Sequence, residues 1–221
     1  MEKVSTRSAS YSRARSIAFI GLTIAIMAVS AWVTVPIGPI PVTLQMFAIT
    51  FAIVVLAPKE AIVAIMGYLL LGAVGVPVFS GMRGGVGVLA GPTGGFLWGY
   101  LFGVAAAVLF LYVVRGRLGW GAKGAKVSSG AGSSGDDLLD EAPVSPLHKF
   151  GRFLSMAGVE IVAGVLFTAI SYLCGWAQYM AVAGVGPVAA FAVCIAPFVV
   201  IDFVKILAAV ACARAVKAAV R

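Results

Sequence analysis

Two charged side chains of opposite sign lie in one apolar stretch near the end of the sequence. Asp202 precedes Lys205 by three residues within PFVVIDFVKILAA. On a helix this spacing places the two side chains on neighbouring faces, and charges in an apolar helix normally face protein or a water-filled cavity. The pair therefore either neutralises itself inside a helical bundle or forms part of a polar binding site.

A third charge, Arg83, lies in the glycine-rich segment PVFSGMRGGVGVLAGP (residues 77–92), which we predict to be a loop because glycine disfavours a helix. Together with Asp202 and Lys205 it would give a site of net charge +1. Such a site suits a small ligand with a carboxylate and a polar group that donates to Asp202. Arginine offers a fork for a carboxylate and lysine a point charge, and the spacing does not decide which cation takes it.

Gln45 is the strongly polar side chain of the segment VTLQMFAITF, and an amide can both donate and accept hydrogen bonds. It is either a further member of the polar site or an interfacial cap.

Metal binding and nucleophilic catalysis have little support in the sequence, since His148 is the single histidine and the three cysteines are dispersed. GMRGGVG lacks the Lys-Ser/Thr of a nucleotide-binding loop. We expect no metal, no cofactor and no enzymatic activity.

The elements that position these residues are predicted to be transmembrane helices. The chain is 62% hydrophobic and 11% charged, which a water-soluble domain does not accommodate. We therefore expect an all-α membrane protein, a six-transmembrane-helix bundle that forms a single membrane domain over residues 1–221. The approximate spans are 17–35, 42–57, 61–76, 94–114, 153–175 and 198–213, with a short interfacial or re-entrant piece at 187–196 and a flexible cytoplasmic connector at 115–150.

The distribution of basic residues predicts the orientation, because cytoplasmic segments collect Lys and Arg. With both termini cytoplasmic, 14 of the 16 basic residues lie inside. Arg83 and Lys205 are the exceptions, which places a ligand pocket near the outer face. The basic excess then reflects topology in a multi-pass protein of the plasma membrane, surrounded by lipid, and not binding to nucleic acid.

Small residues recur on the first predicted helix. Gly21 and Ala25 are four residues apart, a spacing that allows another helix to approach closely. That helix could belong to the same bundle or to a partner.

Three segments, PIGPIPVTLQMF, GYLLLGAVGVPVFSGMRGGVGVLAGPTGGFLWGY and PFVVIDFVKILAA, resemble the BioY family, the biotin-binding S-components of energy-coupling factor (ECF) transporters. The resemblance extends from about residue 15 to residue 213, apart from the connector. It implies six helices and high-affinity capture of biotin from outside. It also implies an energising module made of a transmembrane coupling protein and two ABC-type ATPases.

The resemblance further implies roles for individual residues. Substrate contacts would come from Gln45, Arg83, Asp202 and Lys205, with Tyr68 of GYLLLG as a further candidate. Gly21 and Ala25 resemble the small-residue motif through which S-components dock onto the coupling protein.

A different function stays open at this point. The chain could be a stand-alone secondary transporter of biotin or another small carboxylate, in which Asp202 and Lys205 relay protons and Glu160 is a further candidate. Uptake driven by a proton gradient in the absence of ATPases would distinguish it from a capture subunit.

Overall fold

The computed structural model describes the backbone of residues 2–36, 38–117 and 146–219, and the side chains of residues 13–36, 38–117 and 156–219. These residues are mostly helical, with one short antiparallel hairpin. In chain order the elements are α1 (Glu2–Trp32), β1 (Thr34–Val35), β2 (Val42–Thr43), α2 (Gln45–Val55), α3 (Pro58–Val74), α4 (Val86–Ala90), α5 (Gly94–Arg117), α6 (Pro146–Ala183), α7 (Pro187–Cys194) and α8 (Val199–Ala219). Most of the predicted connector falls on residues 118–145, which lie outside the described residues.

Within the described residues, three helical stretches are long and apolar enough to cross a membrane: Arg13–Trp32, Gly94–Arg117 and Met156–Ala183. The pair α7 and α8, bent by 42° at its break, adds a fourth if it counts as one span. Helices α2 and α3 contain 11 and 17 residues, short of the roughly 20 that a span usually needs. The chain is therefore a helical protein with three to four candidate spans, and the number six stays a prediction.

The first two predicted runs have different ends in the structure. Helix α1 ends at Trp32, before the predicted residue 35, and Thr34 and Val35 pair with Thr43 and Val42 in the hairpin. Val35 precedes a proline, which disfavours the helical conformation. Helix α2 begins accordingly at Gln45, three residues later than predicted.

The glycine-rich segment is largely a loop, as predicted, but it contains the five-residue helix α4. Before that helix the chain makes a tight turn in which the Phe79 N–H donates to the Arg83 carbonyl at 2.9 Å. Gly81 and Met82 have positive φ values of 70° and 56°, a region that favours glycine. This turn fixes the position from which the Arg83 side chain leaves the backbone.

Glycines on one face of α5 let its backbone touch that of α6. A Cβ atom added at Gly95, Gly99 or Gly103 would lie 2.4, 2.6 and 2.7 Å from main-chain atoms of Cys174, Ser171 and Phe167, respectively. The four-residue spacing aligns the three glycines along the helix, and small residues permit this close approach in membranes. We did not predict this contact from the sequence, although its pattern GxxxGxxxG is visible there.

Two prolines divide the last apolar stretch. Pro187 is in the first turn of α7, and the chain leaves the helical conformation around Pro197 before α8 begins at Val199. The predicted short piece at 187–196 therefore coincides with α7, and the predicted last span coincides with the greater part of α8.

Candidate ligand pocket

Asp202 and Lys205 form a buried ion pair in the first part of α8. The Lys205 Nζ lies 2.7 Å from the Asp202 Oδ1, and the two side chains are 11% and 6% exposed. The three-residue spacing on a helix accounts for the contact. Mutual neutralisation, one of the two roles considered above, is therefore present in the structure.

Two residues that we did not predict, Thr43 and Tyr172, form hydrogen bonds with this ion pair. The Lys205 Nζ also donates to the Thr43 carbonyl of β2 at 2.7 Å, and the Tyr172 hydroxyl of α6 donates to the Asp202 Oδ2 at 2.6 Å. The pair thus connects the hairpin, α6 and α8. The separation in sequence hid both contacts, although a phenol in an apolar run needs a polar partner and could have marked Tyr172.

Gln45 is buried at the start of α2 and is held by a chain of hydrogen bonds. Its Nε2 donates to the Tyr68 hydroxyl at 2.6 Å, and that hydroxyl donates to the Val78 carbonyl at 2.8 Å. The Thr43 hydroxyl donates to the Gln45 Oε1 at 3.3 Å. Tyr68 itself is fully buried and packs edge-on against Phe79. Tyr68 therefore lies behind Gln45 and does not line the pocket. From that position its hydroxyl sets the orientation of the Gln45 amide.

One pocket contains the other four predicted substrate contacts. Gln45, Arg83, Asp202 and Lys205 all line a cavity with about 620 Å³ of space outside protein atoms, part of it open to solvent. The rest of the wall is largely apolar and aromatic, and includes Ile40, Met46, Phe79, Phe96, Tyr100 and Phe198.

The pocket has a positive excess and unused hydrogen-bonding capacity. Arg83 is exposed and its Nε donates to the Ser80 carbonyl at 3.2 Å, and within the described part of the chain it forms no ion pair. The Lys205 ammonium has three N–H groups, of which two are used in the contacts above, and each Asp202 oxygen has a second lone pair. The arrangement can therefore bind an anion and, beside it, a group that both donates and accepts.

A second charged cluster lies at the other end of the same helices. Glu160 is 4% exposed, and its carboxylate is 3.3 Å from Arg115, 3.2 Å from Arg214 and 3.5 Å from Lys217. Twelve residues separate Glu160 from Tyr172 on α6. At a rise of 1.5 Å per residue, the two clusters are about 18 Å apart along the bundle.

Gly21 and Ala25, the predicted interface residues, lie on an exposed face of α1, far from the lining of the pocket. A Cβ atom added at Gly21 would meet no atom of the described chain within 4 Å. This close-packing pattern is therefore not used by the helices described in the structure.

The fold and the pocket define a helical membrane protein with a cavity at one end of its bundle, where charged and polar side chains face an apolar and aromatic wall. The model of the BioY family matches residues 2–221. The chain therefore belongs to the BioY family, as the resemblance predicted.

Individual relatives match over shorter stretches. The chain is 46% identical over 83 residues to the biotin transporter BioY of Thermotoga maritima, which covers 38% of this chain and 49% of that protein. It is 49% identical over 86 residues to the biotin transporter BioY2 of Lactococcus lactis subsp. cremoris, covering 39% and 47%. The chain thus matches about half the length of these curated relatives.

A solved structure has the same fold. It is described as the S-component for biotin from an ECF-type ABC transporter, and it superimposes with a TM-score of 0.70 over 94% of this chain and 93% of that chain. The sequence identity is 18%, so this likeness concerns the fold alone.

Proposed function

We propose that this protein is the biotin-capturing membrane subunit of an ECF-type vitamin transporter. The observation that carries the proposal is the pocket that brings Gln45, Arg83 and the pair Asp202 and Lys205 together from three different parts of the chain. The names of the relatives and the fold of the solved S-component support biotin as the ligand.

The chemistry of biotin fits the polarity of this pocket. Its ureido head has two N–H donors and one carbonyl acceptor, which match the Asp202 carboxylate and the remaining N–H of Lys205. Arg83 is exposed and has no carboxylate partner among the described residues, so we assign it to the biotin carboxylate. The apolar ring of biotin would lie between them, against aromatic side chains such as Phe79 and Phe96.

We further propose six spans, with both termini in the cytoplasm and the pocket near the outer face of the plasma membrane. Helices α2 and α3 would be the two short spans. The distribution of charge supports the orientation, because the Glu160 end carries Arg115, Arg214 and Lys217, whereas the pocket end carries Arg83 and Lys205.

The proposed partners are a transmembrane coupling protein and two ABC-type ATPases. The sequence contains no Walker-type nucleotide loop, so energy for transport would come from these subunits. The exposed small residues Gly21 and Ala25 would form the docking face on α1, where a flat surface allows another helix to approach.

Calorimetric titration with biotin tests the central proposal. The purified chain in detergent, folded as judged by cooperative thermal unfolding, is expected to bind biotin saturably without any partner. Biotin methyl ester, which lacks the charged carboxylate, is expected to bind more weakly because it gives up the contact with Arg83. Folded protein that gives no saturation with biotin would exclude the proposal.

A transport assay separates this function from the stand-alone alternative. Proteoliposomes that contain the chain alone are expected to show no biotin uptake under a proton gradient. Uptake without ATPases would favour the secondary transporter, in which Asp202 and Lys205 relay protons and Glu160 is a further candidate.

A further inference from the structure

An apolar groove lies at the end of the bundle opposite the pocket. It runs between α2, the start of α3 and the end of α5, and it offers about 740 Å³ of space outside protein atoms, part of it open to the surroundings. Apolar side chains form most of its wall, among them Ile53, Leu56 and Leu111, and Arg115 and Gly116 lie at one end. The groove therefore combines a long apolar surface with one cationic end.

Arg115 connects this groove to the Glu160 cluster. Among the described residues, the cluster contains one carboxylate and three cations, Arg115, Arg214 and Lys217, and these four side chains sum to a net charge of +2. The side chains of Arg115 and Lys217 are 35% and 38% exposed, which leaves part of each accessible to a further anion.

The described carboxylate nearest in sequence to the groove does not offset this charge. Glu60, two residues after the groove-lining Pro58, accepts hydrogen bonds from the Ser16 hydroxyl at 2.5 Å and from the Ala57 N–H at 3.2 Å. It forms no ion pair with a described cation. Among the described residues, Glu60 therefore does not reduce the positive charge at the end of the groove.

We propose that this groove binds an anionic phospholipid, with an acyl chain along the apolar wall and the headgroup phosphate at Arg115. A water-soluble anion would bind Arg115 but leave the apolar wall of the groove uncovered. A zwitterionic lipid would cover this wall but would bring no net negative charge to the Glu160 cluster. Basic pockets between transmembrane helices at the cytoplasmic side bind anionic headgroups, and the arginine fork matches a phosphate. The proposal concerns a site separate from the biotin pocket and does not depend on the ligand bound there.

Thermal unfolding of the purified full-length chain in mild detergent tests the proposal. Phosphatidylglycerol is titrated against phosphatidylcholine with the same acyl chains. A ligand that binds the folded state raises the unfolding temperature in a saturable way. We expect such a rise with phosphatidylglycerol, and a markedly smaller one with phosphatidylcholine.

Two variants then test the cationic end and the apolar part of the groove separately. Arg115→Gln should weaken the apparent affinity for phosphatidylglycerol about fivefold, the factor that corresponds to about 1 kcal/mol for each basic residue near an anionic lipid. Arg117→Gln is its matched control, because Arg117 is an exposed cation of the same helix that neither lines the groove nor forms an ion pair with a described residue.

Gly116→Phe places a ring at the mouth of the groove and leaves every ion pair intact. A Cβ atom at Gly116 meets nothing within 4 Å, so the substitution does not force a clash at its base. Gly158→Phe is the control on α6, because a Cβ atom at Gly158 also meets nothing and Gly158 does not belong to the groove lining. We expect only the first of the two to weaken the effect of phosphatidylglycerol, while biotin binding stays unchanged in both.

Three outcomes would overturn the proposal. Equal stabilisation by the two lipids would show that the groove does not recognise charge. Inorganic phosphate acting as strongly as phosphatidylglycerol would assign the cluster to a free anion. An equal loss in Arg115→Gln and Arg117→Gln would reduce the effect to diffuse attraction at the surface.

Discussion

Asp202 and Glu160, the two buried carboxylates among the side chains that the structure describes, have similar burial but different surroundings. Asp202 is shared by one cation and one phenol and faces an open pocket, whereas Glu160 is surrounded by three cations. Each Asp202 oxygen keeps capacity for another donor beside an open space. The contrast shows that burial of a charge does not by itself identify a binding site, since the space and the hydrogen-bonding capacity left beside it decide its role.

The Glu160 cluster instead joins helices. Its cations come from α5 and α8, while Glu160 itself belongs to α6, so one side chain connects three helices. Removal of one partner from a buried ionic group leaves uncompensated charge, which is costly in a medium of low dielectric constant. Substitutions at the two carboxylates should therefore separate ligand affinity from stability.

The largest expected effect on binding follows from Asp202→Ala. The substitution removes the proposed acceptor for the ureido N–H groups and leaves Lys205 without its partner, and losing one member of a buried charged hydrogen bond costs about 2 to 5 kcal/mol. We expect biotin affinity to fall at least about 25-fold, the factor that corresponds to the lower end of this range. Calorimetry measures the change, with thermal unfolding as the check on folding, and unchanged affinity would restrict the ion pair to a structural role.

Glu160→Ala should instead lower the free energy of unfolding by about 3 kcal/mol, the lower end of the range for a broken buried pair. Arg115 and Lys217 are more than a third exposed, so solvent screens part of the repulsion left behind. Chemical unfolding measures the effect, and Glu60→Ala is the control because Glu60 bonds to neutral groups. A loss of biotin affinity in the folded fraction would contradict the separation of the two regions.

Arg83→Ala tests the rim of the pocket. Arg83 is exposed and holds its place through the backbone of a tight turn, so we expect little change in stability. A charged hydrogen bond contributes about 1.5 to 3 kcal/mol, which corresponds to a loss of biotin affinity of about tenfold or more. The affinity for biotin methyl ester should hardly change, and an equal loss for both ligands would place the carboxylate elsewhere.

A smaller effect is expected for Tyr172→Phe, which removes only the hydroxyl that donates to the Asp202 Oδ2. The ring stays in place, and a net contribution of about 1 kcal/mol for one hydrogen bond predicts a severalfold weaker affinity for biotin. Tyr100→Phe provides a second aromatic position on the same pocket wall. Titration of the two variants side by side shows whether the loss is particular to the Tyr172 hydroxyl.

Gly21→Trp should affect neither the pocket at Asp202 nor the Glu160 cluster of the isolated protein, because the space beside Gly21 is open. Biotin affinity and unfolding temperature are expected to stay within error, whereas co-purification with the coupling protein should fail. Normal assembly would show that the small residues on α1 are not the docking face.

The membrane class and four residues of the pocket could be predicted from types and positions of residues. Asp202 and Lys205 are charges in an apolar run, and Arg83 and Lys205 are exceptions to the distribution of basic residues, so both arguments selected residues of the pocket before any contact was known. The roles inside the site could not be predicted in the same way. Nothing in the spacing indicates that Tyr68 lies behind Gln45, because that depends on where Val78 returns beside α3.

The local details that escaped prediction depend on contacts remote in sequence. The end of α1 at Trp32 is set by pairing across the hairpin, and hydropathy alone does not distinguish a short strand from the end of an apolar helix. The ion pairs of Glu160 could not be predicted, because its three partners lie 45, 54 and 57 residues away along the chain. Periodicity identifies an apolar helix, but it does not tell which neighbour a charged residue will meet.

The hydrogen bond between Lys205 and the hairpin determines which substitutions at its two ends can keep it. The accepting atom is the main-chain oxygen of Thr43, which every amino acid possesses. A substitution at position 43 would therefore remove the hydroxyl contact with the Gln45 Oε1 and alter the pocket wall, while the carbonyl that holds Lys205 would stay available. The same freedom does not extend to position 205, where a shorter or uncharged residue would release the hairpin and the carboxylate of Asp202 together.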